Sequence, residues 1–575
     1  MLALAIVSIS LLLFLSRVAS VIAHYRTARA IGLPIVFTPI TWQDPFWLLM
    51  GPIIEPLLRR LPLGLGDWAR YSVMGWQLED RFAMHARLGP AFVIVSPSLN
   101  EIIIADPAAS HEVLSHWRQY VKSPMQRMLF NTFGENLNTV EGTDWQRHRK
   151  ITGPAFKEDT NRQVWAAAQK EANTVAHRWS QNEEVTLDAL NTQTALTAMH
   201  ILMVAGFGKD DDAEDGLQKI ESGHTLSYES ALQILLRSII MTNLFMDLPV
   251  PTWVLPEKIR TIKTAAKEFR QYMVERVAEE KRISDEGGSV KSDLMSTLVE
   301  ANEAAKTGEG AKMVLSADEL FGNLFVFNLA GFETTASLLL FALPYMAANS
   351  DVQEWVAAEV DQVMTHGEAT SFDAAFPRLV RTLAVMVSSF LILSNFADLV
   401  QLETLRLWGS VEGLPRYTGN NVQTFNLAGQ TYSVPPQTYV TLNFPALHSD
   451  PATWGEDALH WRPSRWITQS ADGVETILPP PGGPGSYVAW SLGPRSCPGK
   501  RFSEAEAVGF IATLLKQHRL EPAMRPGEKS IEEARTRLLA TLANSYPTPF
   551  PKMRKPLDAG FRLRPASQPS HASKE

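Results

Sequence analysis

The spacing of apolar positions predicts a chain built mainly from α-helices. Apolar residues recur with a helical period through most of the 575 positions, whereas strand-like runs are confined to short pieces near residues 92–104 and 422–443. One helix start is clearly marked, because Ser316 and Glu319 form an S-x-x-E capping box directly ahead of an apolar run. The pattern therefore predicts a mainly α fold with small β-sheets.

The first 23 residues follow a different pattern, an apolar run interrupted only by serines and Arg17. Its length is near the roughly 20 residues that a helix needs to span a bilayer. A cleaved secretory signal peptide is the alternative, with Val18-Ala-Ser as its cleavage site. No basic residue precedes the run, whereas Arg17, Arg26 and Arg29 lie on its C-terminal side. These flanks favour an uncleaved anchor over residues 1–23, with the rest of the chain in the cytosol.

The chain after the anchor is divided by its composition. Residues 24–65 are predicted to form a membrane-proximal linker, and the proline-broken apolar stretch from Phe46 to Leu65 lies either on the membrane surface or in the core. One folded domain is predicted over residues 66–556. Residues 557–575 are polar and are predicted to form a disordered tail.

Charge and short motifs exclude several classes of function. The 53 basic and 61 acidic residues give a net charge of −8, which argues against a nucleic-acid partner. The segment from His111 to His116 is one residue too long for the H-E-x-x-H zinc pattern, so its histidines do not share a helix face. The segment from Gly493 to Lys500 lacks the spacing of a P-loop and continues with Arg501 where Ser or Thr is required.

The single cysteine, Cys497, lies in Trp490-Ser-Leu-Gly493-Pro-Arg495-Ser-Cys497-Pro-Gly499. A lone cysteine is often only a small buried apolar residue, and it can form neither an internal disulfide nor a four-cysteine metal site. Here the two glycines allow the backbone to approach a flat ligand, and Arg495 can meet an anionic group. The segment resembles the haem-binding signature of cytochromes P450, F-x-x-G-x-R-x-C-x-G, with Trp490 in place of phenylalanine. The resemblance implies that the Cys497 thiolate is the axial ligand of haem iron.

A second motif, Ala330-Gly331-Phe332-Glu333-Thr334-Thr335, resembles the oxygen-activation motif on the long central helix of this family. The resemblance implies that Ala330 and Gly331 lie over the haem, where the glycine opens a groove for dioxygen. It further implies that Glu333 and Thr334 relay protons to the bound oxygen and that Phe332 lines the pocket above the iron. The structural alternative is that such threonines only bond to a carbonyl one helical turn earlier.

A third motif is Glu403-Thr-Leu-Arg406, whose spacing puts a carboxylate and a guanidinium on one helix face. About sixty residues later, Trp461-Arg-Pro-Ser464-Arg465-Trp466 resembles the P-E-R-F segment of the family, with Ser464 in place of Glu. The resemblance implies a structural triad of Glu403, Arg406 and Arg465 that locks the core around the haem loop without taking part in the chemistry.

The two propionates of a haem need cations or hydrogen-bond donors if they are partly buried. Trp145-Gln-Arg-His148-Arg149 resembles the W-x-x-x-R motif of the family, which implies that Trp145 and Arg149 bind a propionate. Arg495 and Arg416 are the further candidates. His148 is interpreted as a surface residue without a role.

Residues 387–401 do not fit the family pattern, because Arg381 to Met386 reads naturally into Leu402-Glu403 as one amphipathic helix. The fifteen intervening residues are mostly apolar, with Asp398 as the one charge, and have no turn signal suited to a surface loop. The hypothesis is a translated intron, since a Val codon begins with GT and a Gln codon can end in AG, and fifteen codons keep the frame. The alternative is a genuine insertion.

The resemblance extends from about residue 60 to 550 and implies a cytochrome P450 fold behind an N-terminal membrane anchor. It implies a monooxygenase with haem b that inserts one oxygen atom of O2 into a small molecule. Apolar side chains around residues 125–140, 235–250 and 320–335, including Met125 and Met128, indicate an apolar substrate. The motifs are similar to those of microsomal enzymes of filamentous fungi, many of which tailor terpenoids, polyketides or alkaloids.

The same resemblance implies a single-pass protein of the endoplasmic reticulum membrane with a cytosolic catalytic domain. Its implied partners are an external NADPH-dependent reductase, cytochrome b5 and membrane lipid. Two alternatives stay open. One is an enzyme of the same fold that catalyses desaturation, rearrangement or dehydration, and the other is an inactive haem-binding membrane protein.

Overall fold

The computed structural model describes residues 2–208, 220–246, 250–286, 293–307, 314–364, 371–386, 403–546 and 550–566. Helices dominate this part of the chain, which confirms the mainly α prediction. Their bounds are α1 Leu2–Ile31, α2 Pro45–Leu58, α3 Trp76–Asp80, α4 Ala83–Leu88, α5 Pro107–Ser115, α6 Pro124–Phe130, α7 Gly142–Thr152, α8 Glu158–Ser180, α9 Leu187–Phe207, α10 Tyr228–Arg237, α11 Ile239–Phe245, α12 Glu257–Asp285, α13 Leu294–Thr307, α14 Ala317–Ala348, α15 Ser350–Val363, α16 Phe372–Ala375, α17 Val380–Met386, α18 Glu403–Trp408, α19 Phe444–Leu447, α20 Pro451–Trp454, α21 Lys500–Gln517 and α22 Ile531–Ala543.

The strands are short and form small sheets. They are β1 Ile35–Phe37, β2 Ala91–Val95, β3 Asn100–Ile104, β4 Val121–Lys122, β5 Val185–Thr186, β6 Gly413–Tyr417, β7 Gln423–Leu427, β8 Gln430–Val434, β9 Tyr439–Asn443, β10 Ile467–Gln469, β11 Glu475–Ile477, β12 His518–Pro522, β13 Ser545–Tyr546, β14 Lys552–Met553 and β15 Gly560–Pro565. One sheet has six strands in the order β1-β2-β3-β9-β6-β4, a second has the order β12-β15-β5, and the pairs β7-β8, β10-β11 and β13-β14 stand alone. Both predicted strand regions are thereby confirmed.

The long apolar helix α14 is the centre of the main core. The predicted capping box is present, since the Ser316 hydroxyl accepts from the Glu319 amide at 3.2 Å and the Glu319 carboxylate accepts from the Ser316 amide at 2.8 Å. Helix α9 lies alongside α14, and α21 packs on α8. The approach of α14 to the segment before α7 depends on glycine, because a methyl group on Gly322 would lie 2.5 Å from the carbonyl oxygen of Gly134.

The N-terminal helix does not stop at residue 23, because α1 continues to Ile31. Its first part is apolar and exposed, with Leu13 and Phe14 each 63% accessible, whereas Ala28 is fully buried against the sheet. The following residues form β1, which pairs with β2 in parallel. Part of the predicted linker at residues 24–65 is therefore helix and sheet of the folded body.

The C-terminal tail is shorter than the sequence pattern indicates. Residues 557–575 were expected to be disordered, but β15 lies within this range and pairs with both β12 and β5. Phe561 is completely buried in this sheet. The prediction of disorder is therefore wrong for residues 557–566. The composition of this segment is polar, but pairing with two distant strands orders it and buries Phe561.

Two described helices are long and apolar enough to cross a membrane, Val7–Ile31 within α1 and Ala317–Ala348. The second is 78% buried inside the protein, so its apolar character belongs to the core. The segment assigned to a translated intron, residues 387–401, lies outside the described residues. The helices on either side, α17 and α18, are described and contact each other.

Candidate functional site

The loop that carries the single cysteine is held by its own backbone. The Cys497 amide donates to the carbonyl oxygen of Trp490 at 2.9 Å, and the Ser496 amide donates to that of Gly493 at 3.0 Å. Gly493 has a φ of +71°, a left-handed conformation that glycine adopts without strain. Helix α21 begins three residues after the cysteine, at Lys500. The sulfur is therefore placed just before a helix N-terminus, where a negative charge is favoured.

The surroundings of the thiol act on its pKa in opposite directions. Burial raises the pKa of Cys497, whereas a hydrogen bond from the Gly499 amide and the positive charges of Arg149 and Lys500 lower it. The side chain is nevertheless exposed. Cys497 is thus close to many protein atoms and still reachable by a ligand. A positive metal ion at this position would bind the thiolate form.

The oxygen-activation motif lies midway along α14. The Thr334 hydroxyl donates to the carbonyl oxygen of Ala330 at 2.6 Å, the local bond named as the structural alternative. Burial raises the pKa of Glu333, and the charges of Lys552 and Arg237 partly offset this. The two side chains thus have different surroundings, with the hydroxyl turned to its own helix and the carboxyl near two cations.

Two other residues of this motif have clear packing roles. A methyl group at Gly331 would lie 3.2 Å from the Leu202 side chain, so glycine here allows α9 to approach α14. Phe332 is only 3% exposed and belongs to the main apolar core, whereas Ala330 is exposed. The burial of Phe332 does not support the expectation that it lines the pocket. The solvent-accessible positions of this helical turn are Ala330, Gly331 and Glu333.

A cluster of buried cations lies at the end of the six-stranded sheet. Lys122 on β4 is paired in register with Arg416 on β6, and Arg495 from the cysteine loop completes the cluster. Glu141 is the acid within it and bonds to Arg495. Burial, followed by the charge of Arg495, lowers the pKa of Arg416 to about 10, and burial lowers the pKa of Arg495 to about 10. Burial and the two arginines lower the pKa of Lys122 as well.

The cations in this cluster carry more N–H donors than the surrounding protein offers acceptors. All three side-chain nitrogens of Arg416 are buried without a hydrogen-bond partner in the described part of the chain, and so are Nε and Nη1 of Arg495. An unpaired buried donor costs roughly 1–3 kcal/mol, and more when it is charged. The arrangement therefore fits a ligand that brings negatively charged oxygens, as the two carboxylates of a haem do. Lys122 belongs to this cluster but was missed, because nothing in its local sequence distinguishes it.

The predicted pair on α7 is divided between two neighbourhoods. Trp145 is 8% exposed and lies under the Arg495 guanidinium, whose central carbon is 5.0 Å from the indole ring centroid. Burial lowers the pKa of Arg149, and the negative charge of an ionised Cys497 opposes this. Arg149 is therefore the cation of α7 that acts on the sulfur, and Trp145 belongs to the cation cluster.

The interpretation of His148 as a surface residue is wrong. Its side chain is fully buried, and Nε2 lies 3.3 Å from a carboxylate oxygen of Glu319. The Asn323 amide nitrogen donates to Nδ1 at 3.0 Å, so Nδ1 is the acceptor and Nε2 carries the proton of the neutral ring. Burial lowers the pKa of His148, which favours this neutral form. The residue connects α7 to the first turns of α14, a contact that no local pattern reveals.

The three residues of the predicted triad lie together. Arg406 donates to both carboxylate oxygens of Glu403 at 2.8 and 2.9 Å, and Arg465 Nε donates to one of them at 3.0 Å. Trp466 Nε1 also donates to Glu403 at 3.0 Å. Both Glu403 and Arg406 are almost completely buried. Because the acid accepts from several donors, removal of either partner would leave a buried charge unpaired.

One residue that the sequence did not indicate joins this triad to the cysteine loop. The carbonyl oxygen of His448 accepts from Arg406 at 2.5 Å, and its ring nitrogen Nε2 accepts from the Val488 amide at 3.0 Å. Burial lowers the pKa of His448 to about 3, so the ring is a neutral acceptor. The Ser491 amide in turn donates to the Val488 carbonyl oxygen at 2.8 Å. The triad thereby supports the segment that leads into Cys497.

Comparison with known proteins agrees with this arrangement. The cytochrome P450 family model matches residues 74–547, which is most of the chain. The chain belongs to the cytochrome P450 family. A cytochrome P450 monooxygenase of Arthrobotrys oligospora is 28% identical over 544 residues, with 88% of each chain covered. The phomenoic acid biosynthesis cluster cytochrome P450 monooxygenase of Leptosphaeria maculans is 28% identical over 584 residues, covering 94% of this chain and 95% of that one.

The fold is shared with solved structures as well. Retinoic-acid-bound cyanobacterial CYP120A1 superposes with a TM-score of 0.62 at 17% identity, covering 93% of this chain and 99% of that chain. This P450 is therefore a monooxygenase that uses a haem-thiolate cofactor, O2, a redox partner and an organic substrate. The predicted family, fold class and enzyme class are confirmed.

Proposed function

We propose that this P450 inserts one oxygen atom into an apolar small molecule as a tailoring step of fungal secondary metabolism. The observation that carries the haem assignment is the set of unpaired guanidinium nitrogens on Arg416 and Arg495, close to the loop of the single cysteine. Bound haem, proposed to be haem b, would supply the activation of dioxygen. In this proposal Cys497 would bind the iron, and Arg416, Arg495 and Lys122 would bind the haem carboxylates.

Around the bound group, each residue has a chemically distinct task. The Gly499 amide and Arg149 favour the thiolate of Cys497. Gly493 and Gly499 would let the loop pass close to the flat ring, and Trp490 takes the position of the family phenylalanine. Trp145 stacks beneath Arg495 and fixes the direction of its guanidinium.

Proton delivery is assigned to Glu333 and Thr334. Because burial raises the pKa of Glu333, this carboxyl exchanges protons more readily near neutral pH than an exposed one does. It lies near the charges of Lys552 and Arg237, and protons would enter from that side. The Thr334 hydroxyl would then rotate away from the Ala330 carbonyl oxygen to pass a proton on.

The substrate class rests on the relatives and on the apolar core around α14. One relative is named for a phomenoic acid biosynthesis cluster, and others are fungal monooxygenases. Terpenoids, polyketides and alkaloids all offer C–H bonds in apolar surroundings, which matches the apolar side chains of α14.

The proposed localisation is supported by α1 and its neighbours. About 20 exposed apolar residues rise roughly 30 Å as a helix, enough to cross a bilayer. We propose a single span in the endoplasmic reticulum membrane, with the catalytic domain in the cytosol beside an NADPH-dependent reductase and cytochrome b5. Helix α2 would contact lipid, since Phe46 and Ile53 are each 64% exposed.

The proposal is tested by the reduced carbon-monoxide difference spectrum of the full chain. We expect the red-shifted band of a thiolate ligand in the native protein and in Ser496→Ala, and its loss in Cys497→Ser. A native chain that binds haem without this band would contradict the role of Cys497. With substrate candidates in hand, 18O2 labelling separates the reaction classes. One labelled oxygen atom in the product indicates oxygenation, and none indicates desaturation or rearrangement.

A further inference from the structure

A cavity of about 560 Å³ lies outside the site described so far. It is bounded by the end of α1, the segment after β1, the β2–β3 turn, the start of α6 and the turn before β9. The lining residues that matter here are Thr27, Gln43, Asn100, Met125 and Tyr417. A volume of this size is in the range that holds a small molecule.

The six-stranded sheet separates this cavity from the cation cluster. Tyr417 lines the cavity, and its neighbour Arg416 belongs to the cluster. Successive side chains of a strand point to opposite faces, so these two residues lie on different sides of the sheet. The cross-strand pairs agree, because Val121 is opposite Tyr417 and Lys122 is opposite Arg416. The cavity is therefore distinct from the haem site, and Met125 and Met128, expected in the substrate pocket, line this cavity.

Buried polar atoms at the cavity point to a ligand. Gln43 is 7% and Asn100 4% exposed, yet neither amide atom of Gln43 finds a hydrogen-bond partner anywhere in the described ranges, and the same holds for Asn100 Oδ1. The Asn100 nitrogen donates to the His24 carbonyl oxygen at 2.9 Å, so this amide is partnered through its nitrogen and not through its oxygen. Each such orphan costs roughly 1–3 kcal/mol unless a partner arrives.

The chemistry of the lining selects the class of ligand. The described lining residues include no Asp, Glu, Lys or Arg, and His24, which does line the cavity, bonds through Nδ1 to the carbonyl oxygen of Ser96 at 2.8 Å. An uncharged ligand therefore suits this lining better than an ionic one. The lining includes the apolar residues Leu99, Pro124 and Met128 together with the unpaired amides of Gln43 and Asn100. A hydroxyl group is both donor and acceptor, so it can satisfy a carbonyl oxygen such as Asn100 Oδ1 or an amide nitrogen such as that of Gln43.

The position along α1 indicates where the ligand comes from. Thr27 lines the cavity, and the exposed apolar residue Phe14 lies thirteen positions earlier on the same helix, about 20 Å away. The cavity thus opens where the proposed span leaves the bilayer. We propose that it is a binding site for an uncharged lipophilic alcohol that partitions into the membrane, independent of the haem chemistry.

The test uses the full chain in phosphatidylcholine discs and photolabelling with dodecanol that carries a diazirine. We expect label on peptides covering residues 124–128 and 436–439. Gln43→Leu should lower this label at least about five-fold, as expected for one lost hydrogen bond, without affecting a dodecane probe that lacks the hydroxyl. Thr27→Trp, which fills the cavity, should lower both. Gln469→Leu, in a separate sheet, is the matched control.

Competition distinguishes the two sources of such an alcohol. Ergosterol in the disc competes if the ligand is a membrane component, and water-borne octanol competes alone if it is a soluble molecule. Unchanged label in both cavity variants, at unchanged melting temperature, would overturn the site. Label that Thr27→Trp blocks but Gln43→Leu leaves intact would overturn the assignment of an alcohol.

Discussion

The Thr404 hydroxyl donates a hydrogen bond of 3.0 Å to the carbonyl oxygen of Val385, although nineteen positions separate the two residues. Within an α-helix a threonine makes this bond to the carbonyl four positions earlier. The difference between nineteen and four is fifteen, which is the length of the segment 387–401 that departs from the family pattern. Helices α17 and α18 are therefore related as two halves of one helix in register.

We expect a chain that lacks residues 387–401 to fold with α17 and α18 as one helix and to bind haem through a thiolate. The reason is that the deletion makes Val385 and Thr404 true helical neighbours, and Thr382 and Glu359 already anchor the first half. Thermal unfolding and the carbon-monoxide difference spectrum measure this. The melting temperature and the intensity of the thiolate-type band should equal or exceed those of the full chain.

A deletion that is one residue shorter tests whether the helical register between α17 and α18 matters. Deletion of residues 387–400 leaves one residue too many, which rotates α18 by about 100° and moves Glu403 away from Arg465. This chain should lose the thiolate-type band. If the two deletions behave alike, register is not what connects the helices. A spliced transcript that retains codons 387–401 would show that the segment is a genuine insertion.

Arg416→Met is expected to weaken haem binding by about 10- to 100-fold, equivalent to roughly 1.4–2.8 kcal/mol. The same change should leave the melting temperature of the haem-free protein equal or higher, because an unpaired buried cation is removed. Haem titration and calorimetry of the haem-free chain measure the two effects. Arg282→Met, at an exposed position on α12, is the control. A fall in both quantities would indicate a purely structural role for Arg416.

His448→Phe should reduce the fraction of protein with the thiolate-type band, while the stacking on Tyr487 is retained. Phenylalanine cannot accept from the Val488 amide, and an orphaned buried donor costs about 1–3 kcal/mol. The measurement is the ratio, in the reduced carbon-monoxide difference spectrum, of the thiolate-type band to the band of protein that has lost the thiolate ligand. His448→Asn can restore an acceptor and should recover part of the band. Equal spectra in both variants would contradict the proposed support of the cysteine loop.

His224 should stabilise the fold in a pH-dependent way. Its Nδ1 lies 2.7 Å from Glu268 and its Nε2 2.9 Å from Glu275, so both bonds need the doubly protonated ring. Burial opposes the charge, but the two glutamates raise the pKa of His224 above its ordinary value. The stabilisation is therefore complete below the unfolded pKa near 6.5 and is lost as the pH rises through the higher folded pKa.

The variant His224→Gln isolates this effect. The native chain should exceed it in unfolding free energy by about 1–2 kcal/mol at low pH, and the difference should shrink as the pH rises. Denaturant unfolding at several pH values measures it. A difference that is constant over pH would exclude the ionised ring as the source.

Gly322→Ala should destabilise the fold by about 1–3 kcal/mol, since the new methyl group would meet the backbone of Gly134 and Glu135 at 2.5–2.7 Å. Backbone atoms cannot move aside as a flexible side chain can. The matched change Gly153→Ala meets nothing within 4 Å and should be nearly neutral. Melting temperatures of the two variants decide this, and equal values would show that α14 shifts without cost.

Local spacing alone determined much of this protein. The capping box at Ser316, the cysteine loop and the acid–base spacing of Glu403 and Arg406 are readable because their residues are close in sequence. Helical periodicity likewise determined the fold class. In each case the geometry depends on residues close in sequence and not on tertiary contacts.

Tertiary structure decided the remainder. Lys122 joins the cation cluster only because β4 pairs with β6. His448 supports the cysteine loop only because its carbonyl oxygen bonds to Arg406 and its ring to the Val488 amide. The predicted tail became a strand through pairing that buries Phe561. These residues look ordinary in sequence, since burial and partners come from segments tens to hundreds of positions away, and local preference does not encode such contacts.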